Sequence, residues 1–225
     1  MTAPRFTVCD ASQRSDAWRV ARAGRATASR AADILAKVKS GGYSTSRRNY
    51  LTQLVAERLT GQPQEDGFVS AAMQRGLDLE AQALATYESI TGEVVRRVGF
   101  LAATDCLVGA SPDGVIGDFV GLLELKVPLP ATHLEYLEAR VLPSAYRAQV
   151  THQLLVSGAA YCDFMSYCPN FPERWQTVIV RVKAGDVDLE AHRREVGIFL
   201  AEIDLKMQAL ETMGDLRTVL METAR

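Results

Sequence analysis

The sequence lacks the features that mark membrane proteins and small disulfide-bonded proteins. A membrane-spanning helix needs about 20 consecutive apolar residues, and the apolar runs in this 225-residue chain are far shorter. No hydrophobic signal segment follows the first charged residues. The four cysteines have no CxxC spacing, which argues against a disulfide framework, a zinc site or an iron–sulfur cluster. We therefore expect a cytoplasmic protein with reduced cysteines and no membrane contact.

The sequence also lacks internal repeats, while 48% of its residues are apolar. A chain of this size and composition can bury a substantial core on its own. We expect a single domain over residues 1–225, with a helical N-terminal part.

Net charge is low, but its distribution is uneven. The formal charge of −2 predicts no polyanionic partner by itself. Residues 1–50, however, contain ten Lys or Arg and three Asp or Glu, which gives this part +7 and the remaining 175 residues −9. Scattered arginines are often solvated side chains on helix faces. Alternatively, they form a basic patch that binds phosphate.

Capping and turn signals divide the chain into helices and strands. Four helices, each opening at Ser or Thr and closing at Gly, are predicted over 15–24, 27–42, 44–61 and 70–92. Residues 94–127 follow a β-like pattern that is broken by Gly, Asp and Ser-Pro. Further helices and strands are predicted near 131–140, 144–157, 161–168, 175–182 and 187–213. This order predicts an α/β fold with a mixed central sheet flanked by helices.

The segment "SPDGVIGDFVGLLELK", residues 111–126, places charges where a core is forming. In a strand, residues i and i+2 share a face, so Glu124 and Lys126 point the same way. A hairpin centred on residues 118 and 119 puts Asp113 opposite Glu124, with Cβ atoms roughly 5 Å apart. Two such carboxylates repel unless one is protonated or a cation lies between them, and Mg²⁺ suits such a pair. The alternative is an exposed hairpin with ordinary surface charges.

An acid interrupts the apolar stripe of the helix predicted over 70–92. The stripe consists of Met73, Leu77, Leu84 and Tyr87. A carboxylate on a buried stripe must be paired or must bind metal. Glu80 therefore either pairs with Arg75 or Arg97, or completes a three-carboxylate metal site with the hairpin acids.

Two glutamines mark one side of the helix predicted over 144–157. Gln149 and Gln153 are four residues apart, so they lie one helical turn from each other. Gln149 could reach the same cavity as the carboxylates, or it could satisfy a neighbouring backbone group.

Five motifs occur in a fixed order along the chain. They are "WRVARAGRATAS", "RGLDLEAQAL", "GASPDGVIG", "LLELKVP" and "AYRAQVTHQLLVSG". Over residues 12–170 the chain thereby resembles the lambda-type alkaline exonucleases, also called YqaJ-like viral recombinases. These proteins belong to the restriction-endonuclease-like PD-(D/E)xK superfamily. Here Pro112 and Asp113 form the PD, and Glu124, Leu125 and Lys126 form the ExK.

The resemblance implies an activity and a set of partners. The activity is Mg²⁺-dependent 5′-to-3′ digestion of one strand of linear double-stranded DNA, which leaves 3′ overhangs for phage-type recombination. The resemblance also implies two metal ions, for which Mn²⁺ can substitute, and a DNA end with a 5′ phosphate. A homotrimeric ring around the duplex and a single-strand annealing protein complete the expectation.

The resemblance also implies roles for individual residues. The metal ligands are expected to be Asp113, Glu124, Glu80 and the Leu125 carbonyl. Lys126 is expected to orient or deprotonate the attacking water, with Gln149 beside it. The 5′-phosphate pocket is expected to contain Arg22, Ser29 and Ser111. Lys39 is expected near DNA, and Met73 is either an apolar wedge that helps to part the strands or a core residue of its helix.

Two other functions stay open at this point. A PD-(D/E)xK endonuclease would cut a closed circle, whereas an exonuclease needs an end. A catalytically inactive DNA-binding or annealing module would keep the fold and the basic face. The complete set of acids and lysine argues against the inactive module.

Overall fold

The computed structural model describes residues 6–64 and 70–213, and within these ranges two β-sheets pack against helices. The strands are β1 (Phe6–Cys9), β2 (Ala26–Thr27), β3 (Val95–Arg96), β4 (Phe100–Ala103), β5 (Val108–Ala110), β6 (Gly114–Ile116), β7 (Gly121–Lys126), β8 (Tyr161–Tyr167) and β9 (Thr177–Lys183). The helices are α1 (Asp16–Arg22), α2 (Ala31–Leu35), α3 (Thr45–Thr60), α4 (Ala71–Thr91), α5 (Pro130–Ala139), α6 (Ser144–Ser157) and α7 (Leu189–Thr212).

Each sheet mixes parallel and antiparallel pairs. The four-stranded sheet has the order β1-β4-β5-β2, with β2 parallel to β5. The five-stranded sheet has the order β3-β6-β7-β8-β9, with β7 parallel to β8 and the other pairs antiparallel. The predicted mixed α/β architecture is therefore confirmed, but it contains two sheets where one central sheet was expected.

Serine caps and terminal glycines set the helix boundaries. The hydroxyls of Ser15, Ser44 and Ser70 accept backbone N–H groups in the first turns of α1, α3 and α4, as expected for N-caps. Gly61 and Gly92 adopt the left-handed conformation just after α3 and α4. None of the helices in the described ranges combines the length and apolarity needed to cross a membrane.

The N-terminal quarter is less helical than predicted. It contributes β1 and β2 to the four-stranded sheet. The helix predicted over 27–42 begins as a 3-10 turn at Ala28–Arg30 and ends with α2 at Leu35. It ends there because Lys37 forms a β-bridge with Tyr43, which reverses the chain. The part of the predicted helix over residues 36–42 is therefore absent.

The five-stranded sheet is covered by helices on both faces. Because side chains alternate along a strand, Leu122 packs with Phe164 in one buried cluster, and Leu123 packs with Met165 in the other. The first cluster includes residues of α6 and α7, and the second includes Tyr87 of α4. Glu124 shares the face of Leu122, so its side chain points towards α6.

A buried carboxylate connects α4 to the sheet, on the face opposite to α6. Asp163 of β8 is 1% exposed. It accepts the Tyr87 hydroxyl over 2.6 Å and binds Arg181 of β9 through two hydrogen bonds of 2.8 Å. Arg181 also stacks 3.8 Å from the ring centroid of Tyr161. This cluster holds the helix that carries Glu80 against the sheet.

Ion pairs join the N-terminal helices to α7. The guanidinium of Arg47, which is buried, bonds to both Glu202 carboxylate oxygens over 2.5 and 3.2 Å. Arg58 pairs with Asp204 over 2.8 Å. Arg47 also lies against the ring of Phe199. Segments from the two ends of the described chain therefore pack as one unit.

Candidate active site

The β6–β7 hairpin brings the two predicted carboxylates together. Gly114 pairs with Leu123, and the same register continued by one residue places Asp113 opposite Glu124. The backbone N–H of Asp113 donates to the Leu123 carbonyl over 3.0 Å. Asp113 Oδ2 accepts the Leu125 N–H over 2.7 Å. The predicted hairpin register is therefore confirmed.

Glu124 accepts hydrogen bonds from three side chains. Lys126 Nζ and Gln149 Nε2 donate to Glu124 Oε1, the glutamine over 2.6 Å. Gln153 Nε2 donates to Glu124 Oε2 over 2.6 Å. Gln149 and Gln153 reach the same carboxylate because they lie one turn apart on α6. The predicted approach of Gln149 to this cavity is confirmed.

The negative charges of this centre are incompletely balanced. Burial and the charge of Glu124 raise the pKa of Asp113 to about 7. Burial alone would lower the pKa of Lys126, but the carboxylates of Glu124 and Asp113 outweigh burial and raise this pKa. One ammonium ion therefore faces two acidic groups, of which Asp113 readily holds a proton, and a cation could take the place of that proton.

The facing carboxylates fit an oxygen-preferring divalent cation. Mg²⁺ usually takes one or two protein carboxylates together with water and substrate phosphate, and Asp113 and Glu124 supply that number. Among residues 6–64 and 70–213, no three carboxylate, imidazole or thiol side chains are grouped as a metal site. A cation between Asp113 and Glu124 would therefore take its remaining ligands from water, backbone or substrate, or from Glu80 after a movement of that side chain towards the two carboxylates. The Leu125 carbonyl stays a predicted ligand of this kind.

Glu80, the third predicted carboxylate, approaches the centre from α4. It lines a groove of about 360 Å³ that also contains Asp113. Glu80 Oε1 lies 3.2 Å from Arg97 Nη1 in an ion pair. The ion pair that was the alternative to metal binding is thus present, whereas Arg75 bonds to Asn170. The metal-binding role of Glu80 stays a prediction.

A cleft of about 640 Å³ connects this centre with the basic N-terminal segment. Its lining includes Asp113, Glu124, Lys126 and Gln149. The residues predicted to contact DNA that also line this cleft are Arg22, Ser29, Met73 and Ser111. The fold therefore brings most of the predicted site residues into one cavity.

Trp18 connects the parts of the predicted phosphate pocket. Its Nε1 donates to Ser111 Oγ over 2.9 Å, and the Arg22 guanidinium carbon lies 4.0 Å from the indole centroid. Arg22 Nη2 is 3.4 Å from Ser29 Oγ. A guanidinium fork beside two hydroxyls is a donor set that suits a phosphate group.

Two neighbouring residues of α3 hold the turn that follows Arg22. Glu57 Oε2 accepts the Gly24 N–H over 2.7 Å, and Arg58 Nε donates to the Gly24 carbonyl over 3.0 Å. Gly24 has a φ of +71°, and a Cβ there would lie 2.8 Å from Arg58 Cγ. Glycine is therefore needed for both the backbone conformation and the close approach.

Met73 and Lys39 relate differently to the cleft. Met73 is 50% exposed and lines the cleft, so its interpretation as a core residue is wrong. Its role as a wedge stays a prediction. Lys39 lies in the exposed turn between Lys37 and Tyr43 and is not part of the cleft lining. Its contact with DNA also stays a prediction.

Sequence reasoning assigned no individual role to several polar residues of the cleft, although the arginines among them belong to the basic N-terminal stretch. They are Gln13, Arg14, Trp18, Arg19, Arg30, Gln53 and Gln64. The position of Trp18 four residues before Arg22, on the same helical face, was the available signal. Gln53 had no local signal, because only the packing of α3 beside the cleft brings it there. Arg30 donates to Gln53 over 3.2 Å.

Comparisons with known proteins show that this chain is similar to nucleases. The family model of the YqaJ-like viral recombinase domain matches residues 17–160. The crystal structure of an alkaline exonuclease, LHK-Exo from Laribacter hongkongensis, is 37% identical with a TM-score of 0.79, over 88% of this chain and 97% of that chain. The structure of LHK-Exo in complex with dAMP matches with the same values. No curated protein matches the chain.

A more distant structure shares the fold. A phage related exonuclease from Haemophilus somnus 129PT is 11% identical, with a TM-score of 0.61 over 84% of this chain and 96% of that chain. At this identity the likeness concerns the fold alone. Together with LHK-Exo, it confirms the predicted restriction-endonuclease-like fold.

Proposed function

Because the chain belongs to the YqaJ-like viral recombinase domain family, we propose that it is an exonuclease that digests one strand of linear double-stranded DNA. The proposed polarity is 5′ to 3′, which leaves a 3′ single-stranded overhang. The observation that carries this proposal is the cleft that joins the Asp113 and Glu124 carboxylates to the pocket around Arg22. Such a cleft can hold a terminal phosphate while the next phosphodiester lies at the carboxylates.

The N-terminal side of the cleft is proposed to bind the 5′ phosphate. The planar guanidinium of Arg22 can donate two hydrogen bonds to one phosphate. The hydroxyls of Ser29 and Ser111 lie beside it, fixed by contacts with Arg22 and Trp18. The complex of LHK-Exo with dAMP, a nucleoside 5′-monophosphate, shows nucleotide binding by that relative and supports this assignment.

The carboxylate side of the cleft is proposed to be the hydrolytic centre. Asp113, Glu124 and Glu80 would hold Mg²⁺, or Mn²⁺ in its place, with the Leu125 carbonyl as a further ligand and two ions in all. When bound, the metal ions would supply positive charge to the scissile phosphate and its leaving oxygen.

Lys126 is proposed to orient the attacking water. Its ammonium group bonds to Glu124 and lines the cleft beside Asp113, and such a group can donate to water or to a phosphate oxygen. Gln149 would stabilise the Glu124 carboxylate from the cleft side through its 2.6 Å hydrogen bond.

The family resemblance also supports a proposal about assembly. Three copies of the chain would form a ring around the duplex, and a single-strand annealing protein would take the 3′ overhang for recombination. Light scattering of the purified protein would show a mass of three chains.

The proposal is tested with linear duplex DNA labelled at the 5′ or the 3′ end. Purified protein is incubated with Mg²⁺ or EDTA, beside the Lys126→Ala variant and a covalently closed circle. We expect early release of the 5′ label as mononucleotide, an intact complementary strand and an intact circle. No 5′ label should be released in the presence of EDTA or by the Lys126→Ala variant.

Three results would contradict the proposal in whole or in part. Cutting of the closed circle would identify an endonuclease, because a circle offers no end. Binding of DNA without any cleavage would identify an inactive binding or annealing module. Early release of the 3′ label would reverse the proposed polarity while leaving nuclease activity in place.

A further inference from the structure

Gln153 holds Glu124 from the side that faces away from the cleft. Gln149 and Lys126, the two donors to Glu124 Oε1, line the cleft, whereas Gln153 is fully buried and lies outside its lining. Gln153 Nε2 donates to Glu124 Oε2 over 2.6 Å. An ionised carboxylate has only acceptor atoms, so the amide must turn its NH₂ group towards Glu124. Its Oε1 atom therefore points elsewhere.

Cys162 supplies a partner for that amide oxygen. Cys162 Sγ lies 3.6 Å from Gln153 Oε1, within the range of a thiol hydrogen bond. Cys162 pairs with Leu122 in the β7–β8 register, so its side chain shares the sheet face of Glu124. An amide oxygen can only accept, so the thiol must be the donor. Burial raises the pKa of Cys162, which keeps the S–H group intact.

We propose that Cys162 and Gln153 form a hydrogen-bond relay that positions Glu124 for metal binding. The thiol fixes the orientation of the amide, and the amide fixes the rotation of the carboxylate. Both are positioning residues, because neither lines the cavity in which substrate would lie. The inference rests on the proposed metal-dependent function. It adds the two buried residues that hold the proposed metal ligand Glu124 in place.

The relay has a measurable consequence because a carboxylate can rotate when only one oxygen is held. Gln149 and Lys126 both bond to Oε1, so Gln153 provides the bond at the second oxygen. Removal of partners that orient metal ligands typically lowers metal affinity by about 10- to 100-fold. The effect should therefore appear in metal binding without DNA, before any catalytic step.

The test is a titration of the purified full-length protein with Mn²⁺, followed by the electron paramagnetic resonance signal of free Mn²⁺. The variants are Gln153→Leu, Cys162→Ala and Cys162→Ser. Thr151→Val is the matched control, because Thr151 is also buried on α6 but bonds to the Arg147 carbonyl. Thermal unfolding of each variant without metal reports whether it is folded.

We expect Gln153→Leu to weaken Mn²⁺ binding about 10-fold or more. Cys162→Ala should weaken it roughly threefold, since the amide keeps its bond to Glu124 but loses its own support. Cys162→Ser keeps a donor and should restore affinity to within about twofold of the wild type. Thr151→Val should bind Mn²⁺ as the wild type does.

Two outcomes would overturn the relay. The first is wild-type Mn²⁺ affinity in folded Gln153→Leu. The second is an equal loss in Cys162→Ala and Cys162→Ser, which would indicate a packing effect, and this pair decides the matter if Gln153→Leu does not fold. A wild-type protein that binds no Mn²⁺ but degrades DNA in EDTA would instead contradict the proposed function itself.

Discussion

Asp113 and Asp163 lie in neighbouring parts of one sheet, yet their negative charges are compensated differently. Asp163 is bound by the Arg181 guanidinium through two hydrogen bonds and by the Tyr87 hydroxyl. Asp113 accepts one backbone N–H and faces Glu124, and burial together with that charge raises its pKa to about 7. The first carboxylate is satisfied by the chain, whereas the second is suited to bind something the chain does not provide. Compensation, more than burial, separates a structural acid from a candidate catalytic one.

The largest expected difference between the two acids is in activity. Asp113→Asn should lower DNA hydrolysis by at least about 1,000-fold, equivalent to roughly 4 kcal/mol, because it removes a proposed metal ligand. Release of labelled nucleotide from linear duplex measures this loss. The melting temperature of the variant should stay at or above that of the wild type, so that misfolding does not explain the result. Retention of more than about a tenth of the activity would contradict the assignment of Asp113.

The partner of Asp163 should matter for stability instead. Arg181→Met leaves a buried carboxylate without its cation, and we expect the free energy of unfolding to fall by about 3 kcal/mol. Urea denaturation measures this change, and Arg174→Met is the control because Arg174 is exposed and stacks on Trp175. Activity per folded molecule should stay within about twofold of the wild type. Equal free energies of unfolding for Arg181→Met and Arg174→Met would contradict the structural role of the Asp163 cluster.

The pH dependence of stability should distinguish the acids next. An acid whose pKa is raised on folding stabilises the protein fully below its unfolded pKa, near 4, and this contribution is lost as pH rises through 7. Asp113 is partly exposed to the cleft, and solvent screening reduces the effect of its raised pKa. For metal-free protein we therefore expect the free energy of unfolding to fall by roughly 2 kcal/mol between pH 4 and pH 8. The Asp113→Asn variant should lack this pH-dependent loss of stability, and Mg²⁺ should reduce the loss in the wild type. If the free energy of unfolding changes with pH equally in the two metal-free proteins, Asp113 does not titrate in this range.

The smallest expected effect concerns the hydroxyl of Tyr87. Tyr87→Phe removes the 2.6 Å hydrogen bond to Asp163 but keeps the ring, and it should cost roughly 1.5 kcal/mol of stability. Urea denaturation again provides the measurement. Tyr161→Phe is the matched control, because Tyr161 contacts Arg181 through its ring. A loss of activity larger than the loss of folded protein would show that this cluster also positions Glu80.

The two acids also show which parts of the site can be predicted from sequence. The placement of Asp113 opposite Glu124 follows from a local hairpin, whose symmetric pattern fixes the pairing over a dozen residues. The compensation of Asp163 depends on a neighbouring strand and on a helix far away in the sequence, so no local pattern contains it. The strand β2 was missed for the same reason, since its two residues pair with β5, about 80 residues later.

The N-terminal side of the cleft, which is proposed to bind the 5′ phosphate, illustrates the same limit. The resemblance identified Arg22, Ser29 and Ser111, and the structure brings them into one cavity. Glu57 and Arg58 hold the turn at Gly24, but no local sequence pattern predicts this role. Their contacts arise from the packing of α3 against the end of α1, which secondary-structure patterns do not specify.

The ion pairs between α3 and α7 have a consequence for synthesis of the protein on the ribosome. The turn after Arg22 is held by α3, which contains Arg47, and the counterion of Arg47, Glu202, is made 155 residues after Arg47. A buried arginine without its partner is strongly unfavourable, so these helices complete their packing only after α7 has emerged. A nascent chain therefore lacks the finished pocket around Arg22 until α7 has been made, and products truncated before α7 should bind DNA ends less well than the 225-residue chain if this pocket binds the 5′ phosphate as proposed.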